Sequence, residues 1–134
     1  MRSFELGGDE GVLRLEGEPP EISAPYFGWD YDAQLKGHSL QAALRVADDE
    51  PMAFVEFFEA IAQSWRGWLG ERRYTSLDRT LSIVASHDGV RSVAFSVTCR
   101  ADAGSGFDWS ATQKLTVEPG RLEGIARAAR EFAT

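Results

Sequence analysis

The segment from Asp48 to Gly70, DDEPMAFVEFFEAIAQSWRGWLG, constrains the fold of this chain more than any other. On a helical wheel of about 100° per residue, its apolar side chains share one side and its polar side chains the other. The apolar side contains Phe54, Val55, Phe57, Phe58, Ile61, Ala62, Trp65, Trp68 and Leu69, and the polar side Glu56, Glu59, Gln63 and Arg66. A stripe this broad and aromatic is wider than one partner helix covers, which predicts a helix lying across a β-sheet.

Short signals mark both ends of this predicted helix. Asp48 or Asp49 can cap its first turn, and Pro51 is tolerated at the first helical position. Gly70 can adopt the left-handed backbone conformation that commonly follows the last turn of a helix. We therefore expect one continuous buried helix from Pro51 to Leu69.

Most of the remaining chain alternates apolar and polar residues, as half-buried β-strands do. Two short apolar segments before residue 16 suggest an opening hairpin, and the loop EGEPPEISAP follows. Alternation then runs over residues 27–36, 40–46, 77–86, 93–99 and 109–117, with the HDG at 87–89 as a tight turn and ADAGSG as a loop. Each run predicts a strand.

A second amphipathic helix, from Leu122 to Phe132, ends the chain. The predicted order is β-β-β-β-α-β-β-β-α, and consecutive strands joined by short turns pair antiparallel. The sequence therefore predicts one α+β domain over residues 1–134, with a curved antiparallel sheet of five to seven strands. The long helix packs on one face of this sheet, and the C-terminal helix lies alongside.

Charge and composition narrow the classes of partner. The net charge of −7 and the absence of a Lys/Arg cluster argue against nucleic acid, because clustered basic side chains bind phosphates. The apolar runs are too short to span a membrane, and the first residues lack the pattern of a secretion signal. The single cysteine, Cys99, fits a reducing compartment, so we expect a cytoplasmic protein. An acidic surface suits solubility, and it equally suits docking onto a basic protein.

No residue pattern indicates catalytic chemistry. Ser86, His87 and Asp88 are the residue types of a hydrolase triad, but a triad is assembled from distant parts of a fold, so their adjacency indicates a turn. A zinc site needs about four Cys or His ligands, and His38, His87 and Cys99 are widely separated. The glycine-rich stretches match no phosphate-binding pattern. We therefore predict a protein that is not an enzyme and holds no metal or other cofactor.

Two surfaces are candidates for binding another protein. The acidic candidates are Asp30, Asp32, Asp48 and Asp49, for which a weak cation site is the alternative. The candidates at the end of the long helix are Arg66, Trp68, Arg72 and Tyr74, since Trp, Tyr and Arg are enriched at binding hot spots. Core packing is the alternative explanation of Trp68.

Two further hypotheses belong to other classes of function. The first is a small-ligand binder whose pocket, between helix and sheet, is lined by Trp29, Tyr31 and Trp109. The second is a small enzyme, in which His38 or His87 would converge with carboxylates in a cleft.

The string FFEAIAQSWRGWLGERRY, followed by a strand ending in HDG, resembles a family of uncharacterised bacterial proteins marked by a Trp-Arg-Gly-Trp-x-Gly-Glu run. More distantly, the order of elements is similar to that of the WapI-type immunity proteins, small cytoplasmic partners that neutralise a cognate toxin. The shared features include an aromatic strand, an amphipathic helix, two strands around an acidic-glycine turn, and a C-terminal helix with a Leu-x-x-Ile pattern. This second resemblance implies a toxin as the class of partner. It names no toxin, because almost no polar residue matches.

Overall fold

A computed structural model describes residues 1–21, 28–101 and 108–134. Its elements, in chain order, are β1 (Arg2–Gly8), β2 (Gly11–Gly17), β3 (Trp29–Gly37), β4 (Gln41–Asp48), α1 (Pro51–Gln63), β5 (Glu71–Thr75), β6 (Leu81–His87), β7 (Val93–Arg100), β8 (Ser110–Val117) and α2 (Leu122–Ala133). A short 3-10 helix, Pro119–Arg121, precedes α2. Phe27 and parts of the two expected loops lie outside the described residues. In the described ranges, neither helix is long and apolar enough to cross a membrane.

The strands form two antiparallel sheets of four strands each, β1-β2-β3-β4 and β5-β6-β7-β8. The α+β class is confirmed, whereas a single sheet of five to seven strands is wrong. Within each sheet, strands that are neighbours in sequence pair antiparallel, but α1 separates β4 from β5 and interrupts the series. Each four-stranded meander is followed by one helix, so the two halves of the chain share the same order of elements.

Aromatic side chains join the first sheet to both helices and the second sheet to α1. Phe4 of β1 packs against Phe58 of α1, with ring centroids 5.2 Å apart, and against Phe132 of α2, at 6.3 Å. Phe58 also contacts Phe95 of β7 at 6.1 Å. Each of these four rings is at most 1% exposed. The sheets and helices therefore enclose one common hydrophobic core.

The helix α1 begins at Pro51, as expected, but it ends at Gln63 rather than at Leu69. The chain then turns: the Ser64 N–H donates to the carbonyl oxygens of Ala60 and Ile61, and Gly67 has a φ of +133°. Glycine adopts such a φ readily because it has no Cβ. The expected continuous buried helix to Leu69 is therefore wrong. No aspartate caps the start either, because the N-cap residue is Glu50 and makes no side-chain cap bond.

Two side chains that the strand alternation predicted to face inward are exposed. Leu77 and Trp109 were the predicted first inward residues of their strands, but those strands begin at Leu81 and Ser110. Leu77 is 62% exposed and Trp109 is 38% exposed. The order of elements also contains β5, Glu71–Thr75, which the alternation did not predict because only Tyr74 in this strand is buried.

Candidate functional site

The segment that follows α1 packs against the turn between β6 and β7. The His87 Nε2 lies 2.9 Å from the carbonyl oxygen of Trp65, and the Trp68 ring meets the His87 ring edge-on, with centroids 5.3 Å apart. The Gly89 N–H donates to His87 Nδ1 at 2.7 Å, so Nδ1 accepts and Nε2 donates, as in the neutral imidazole. Residues 65–70 and 87–90 together form a surface that we name the WRGWLG corner.

Two arginines stack on the tryptophans of this corner. The Arg66 guanidinium lies 5.0 Å from the centroid of Trp65, and the Arg72 guanidinium lies 4.8 Å from that of Trp68. Arg72 also donates from Nη1 to the carbonyl oxygen of Ala60 at 2.8 Å. This guanidinium is a second donor to the Ala60 carbonyl oxygen in the last turn of α1, and its charge complements the negative end of the helix dipole. Arg72 therefore holds the corner in place, whereas Arg66 is exposed.

Three large apolar side chains of the corner face solvent. Trp65 is 50% exposed, Leu69 is 100% exposed and Val90 is 76% exposed. Single exposed apolar side chains are ordinary, but several on one small surface mark a site of interaction.

A groove of about 570 Å³ borders the corner on the side of Trp65. It runs between the end of α1 and the start of α2, and it is lined by Ala62, Gln63, Trp65, Pro119, Gly120 and Glu123. Most of this lining is apolar, and Glu123 supplies a carboxylate at its rim. A groove of this size accommodates one or two apolar side chains of another protein.

The turn that supports the corner is fixed by Asp88. Its Oδ1 accepts the backbone N–H groups of Val90 and Arg91 at 2.8 Å and that of Ser92 at 3.0 Å. These donors, Ser92 first, lower the pKa of Asp88 to about 2. Gly89 adopts a φ of +85° within the turn. A turn joins β6 to β7 here, as predicted, but it spans residues 88–92 rather than 87–89 because β6 extends to His87. The Asp88 carboxylate is engaged with the backbone, with Oδ1 3.9 Å from His87 Nδ1.

Two of the predicted partner-binding residues are buried instead of exposed. Asp48 is 6% exposed and Tyr74 is 5% exposed, and the Tyr74 hydroxyl donates to Asp48 Oδ2. Asp48 Oδ1 also accepts the N–H groups of Asp49 at 2.8 Å and of Leu77 at 3.4 Å. Burial raises the pKa of the Tyr74 hydroxyl, so it stays protonated and able to donate. This pair therefore joins β4 to β5 inside the fold, and the assignment of both residues to a surface is corrected.

The other predicted acidic residues lie at the surface. Asp30, Asp32 and Asp49 are exposed, and Asp32 forms an ion pair with Arg45 at 3.0 Å on the outer face of the first sheet. In the described part of the chain, no three His, Cys, Asp or Glu side chains group closely enough to hold a metal ion. Cys99 is buried in β7, and this burial raises the pKa of its thiol to about 11.

The three predicted pocket residues are not brought together. Trp29 and Tyr31 lie in the core, 1% and 0% exposed, and both pack against Phe132. Trp109 instead lines a cavity at the start of β8, and neither Trp29 nor Tyr31 contributes to that cavity. The expected pocket between helix and sheet is therefore filled by aromatic side chains.

Sequence reasoning placed Arg66, Trp68 and Arg72 at the helix end but missed the exposed members of the corner. Trp65 and Leu69 continue the helical spacing of the buried stripe, so the wheel assigned them to the core. The available signal was the pair of glycines at 67 and 70, both of which have a positive φ. Two glycines three residues apart argue for an earlier end of the helix.

Comparison with known proteins places the chain in a family. No curated protein matches it. The model of a family of unknown function, DUF6228, matches residues 13–134. This match covers β3 to α2, including the WRGWLG corner, and it agrees with the expectation of an uncharacterised domain. The chain therefore belongs to the DUF6228 family.

Proposed function

We propose that this protein is a non-catalytic protein-binding module that contacts its partner through the WRGWLG corner. The observation that supports this most is the exposure of Trp65 and Leu69, at 50% and 100%, in a segment that folding alone does not require to be apolar. Exposed aromatic and aliphatic anchors beside arginine are typical of binding hot spots.

The corner is also ordered before a partner arrives. Trp68 lies between the His87 ring and the Arg72 guanidinium, and the Trp65 carbonyl oxygen is bound to His87. A contact surface that is already held in place loses less conformational entropy on binding, and this favours affinity. The exposed anchors are thus presented on a fixed support.

The residues that most resemble catalytic groups are committed to structure. His87 has both ring nitrogens in contact with backbone groups, and Asp88 accepts three backbone N–H groups. The thiol of Cys99 is buried and remains protonated at neutral pH. These assignments favour binding over catalysis.

We expect a partner that is basic overall and that has at least one apolar side chain entering the groove beside Trp65. The net charge of −7 attracts such a protein at long range, and exposed Asp30, Asp32 and Asp49 add to that attraction. The resemblance to WapI-type immunity proteins suggests a toxin as the class of partner. The protein would then act by covering a surface of that toxin.

Co-expression with the products of the neighbouring genes tests this function. We expect one product to co-purify with the wild-type chain, and Leu69→Ser to lower its recovery by about tenfold, the change that follows from losing one buried apolar anchor. Leu77→Ser is the matched control, because Leu77 is also exposed, at 62%, and lies outside the corner. Equal recovery with both variants, or recovery of no neighbouring product, would contradict the proposal.

A further inference from the structure

A cavity of about 410 Å³ lies at the end of the second sheet opposite the corner, where β6 begins and β7 ends. Its lining includes Asp78, Arg79, Arg100, Asp108, Trp109 and Ser110. The volume is in the range of pockets that enclose small ligands. Two arginines, two aspartates, a partly exposed tryptophan and a serine therefore line one space.

The carboxylate of Asp78 in this lining is held by donors close to it in the fold. Asp78 Oδ2 accepts the Ala47 N–H at 2.8 Å, and Oδ1 accepts the hydroxyls of Ser76 and Thr80, also at 2.8 Å. Partial burial raises the pKa of Asp78, but these donors outweigh burial and lower it overall. The carboxylate of Asp78 therefore keeps its negative charge, but its oxygens are engaged by these neutral donors, and it forms no ion pair with either arginine in the described ranges.

The two arginines have no such partners. Across the described ranges, neither the Arg79 nor the Arg100 guanidinium forms an ion pair or a hydrogen bond, although the whole chain has a net charge of −7. Among the described lining residues, Asp78 and Asp108 carry the opposing charges, and neither forms an ion pair with an arginine. Guanidinium groups present donors in a planar fork that matches a carboxylate or a phosphate.

Arg79 occupies a backbone conformation that its side chain does not favour. Its φ is +63°, and it is the only non-glycine residue with a positive φ in the described part of the chain. Glycine adopts this conformation without strain, so the turn itself gives no reason for an arginine. A strained residue at a cavity wall points to a role of its side chain in binding.

We propose that this cavity binds a small organic anion, in which a carboxylate or phosphate group is held by Arg79 and Arg100. A flat ring attached to that group lies against the indole of Trp109, which is 38% exposed, and the Ser110 hydroxyl donates a further hydrogen bond. This site is separate from the WRGWLG corner, and it does not depend on a protein partner.

Titration with benzoate, phenyl phosphate and inorganic phosphate tests the proposal, with the indole N–H resonance of Trp109 as the readout. We expect benzoate or phenyl phosphate to shift this resonance at millimolar concentration, and inorganic phosphate to bind more weakly because it lacks the ring. A response to benzoate assigns the site to carboxylates, and a response to phenyl phosphate alone assigns it to phosphate esters.

Three arginine variants separate binding from folding. Arg100→Gln should weaken binding by about tenfold, since it removes one charge-assisted contact. Arg79→Gly should weaken binding by a similar factor while raising the melting temperature, because glycine relieves the strained turn. Arg91→Gln removes the same charge from an exposed turn outside the cavity and should leave binding unchanged. No shift with any of the three anions, or equal binding by Arg100→Gln and Arg91→Gln, would overturn the proposal.

Discussion

At the scale of single residues, Asp48 is the carboxylate that most depends on its neighbours. It is 6% exposed, and the hydroxyl of Tyr74 is its side-chain donor. We predict that Tyr74→Phe lowers the free energy of unfolding by about 1–3 kcal/mol, because the buried carboxylate loses a donor that water cannot replace. Urea denaturation measures the loss. Asp49→Asn, a change at the exposed neighbouring carboxyl, should shift the midpoint little, and equal shifts for both variants would contradict the buried pair.

Asp88 gives the fold a contribution that depends on pH. Its pKa is lowered from 3.8 to about 2 in the folded protein, mainly by the N–H groups of Ser92, Val90 and Arg91. A lowered pKa means that the charged form stabilises the fold above pH 3.8 and that this stabilisation is lost as the pH falls through about 2.

The comparison of wild type with Asp88→Asn measures this effect. The wild type should melt at a higher temperature above pH 3.8, and the difference should shrink as the pH approaches 2. The other carboxyl groups titrate in both proteins and cancel in the comparison. A difference in melting temperature that stays constant with pH would show that the Asp88 carboxylate does not hold the turn.

At the scale of elements, the end of α1 at Gln63 divides buried from exposed aromatic residues: Phe58 before it lies in the core, and Trp65 after it lies at the surface. We predict that Phe58→Ala lowers the free energy of unfolding by about 3–5 kcal/mol, because it leaves a cavity in the core. Trp65→Ala should cost less than about 1 kcal/mol, mainly the stacking on Arg66. Chemical denaturation of the two variants checks the difference. Equal losses would place Trp65 in the core, as the helical wheel suggested.

The alternation of apolar and polar residues predicted the strands that have a full buried face. Ile83 and Ala85 in β6, and Phe95 and Val97 in β7, are 0% exposed, as their spacing required. The strand β5 escaped prediction because Tyr74 is its one buried residue, so no period is visible. The helical spacing of residues 65–69 persists past the true end of α1 at Gln63, where Ser64 is the C-cap and the Gly67 N–H closes a turn on the Ser64 carbonyl oxygen.

The same limits apply to the candidate site. Residue type alone indicated that Arg66, Trp68 and Arg72 gather at the helix end, since tryptophan and arginine are common at hot spots. The spacing of apolar and polar residues could not show that Asp48 and Tyr74 meet in the interior, because their contact joins residues on separate sheets. It also could not show that His87 packs on Trp68, a contact between two distant turns.

At the scale of the whole molecule, the two sheets depend on each other through α1 and α2. The sequence could not reveal two sheets, because strand pairing across a helix leaves no local signal. Phe132 in α2 contacts Phe4, Trp29 and Tyr31 of the first sheet. We therefore predict one cooperative unfolding transition, and no folded product from a chain truncated after Val117. Near-ultraviolet circular dichroism and proton NMR measure this, and a truncated chain with dispersed resonances would contradict the shared core.

Site-specific photocrosslinking from position 69 tests the central claim most directly. A photoreactive amino acid in place of Leu69 lies at a fully exposed site of the WRGWLG corner, and the same amino acid in place of Leu77 provides a control outside the corner. The proposal predicts that, in the native host, position 69 gives one discrete adduct with another protein and that Trp65→Ala removes it. The same adduct from position 77, or none from position 69, would contradict a binding role for the corner.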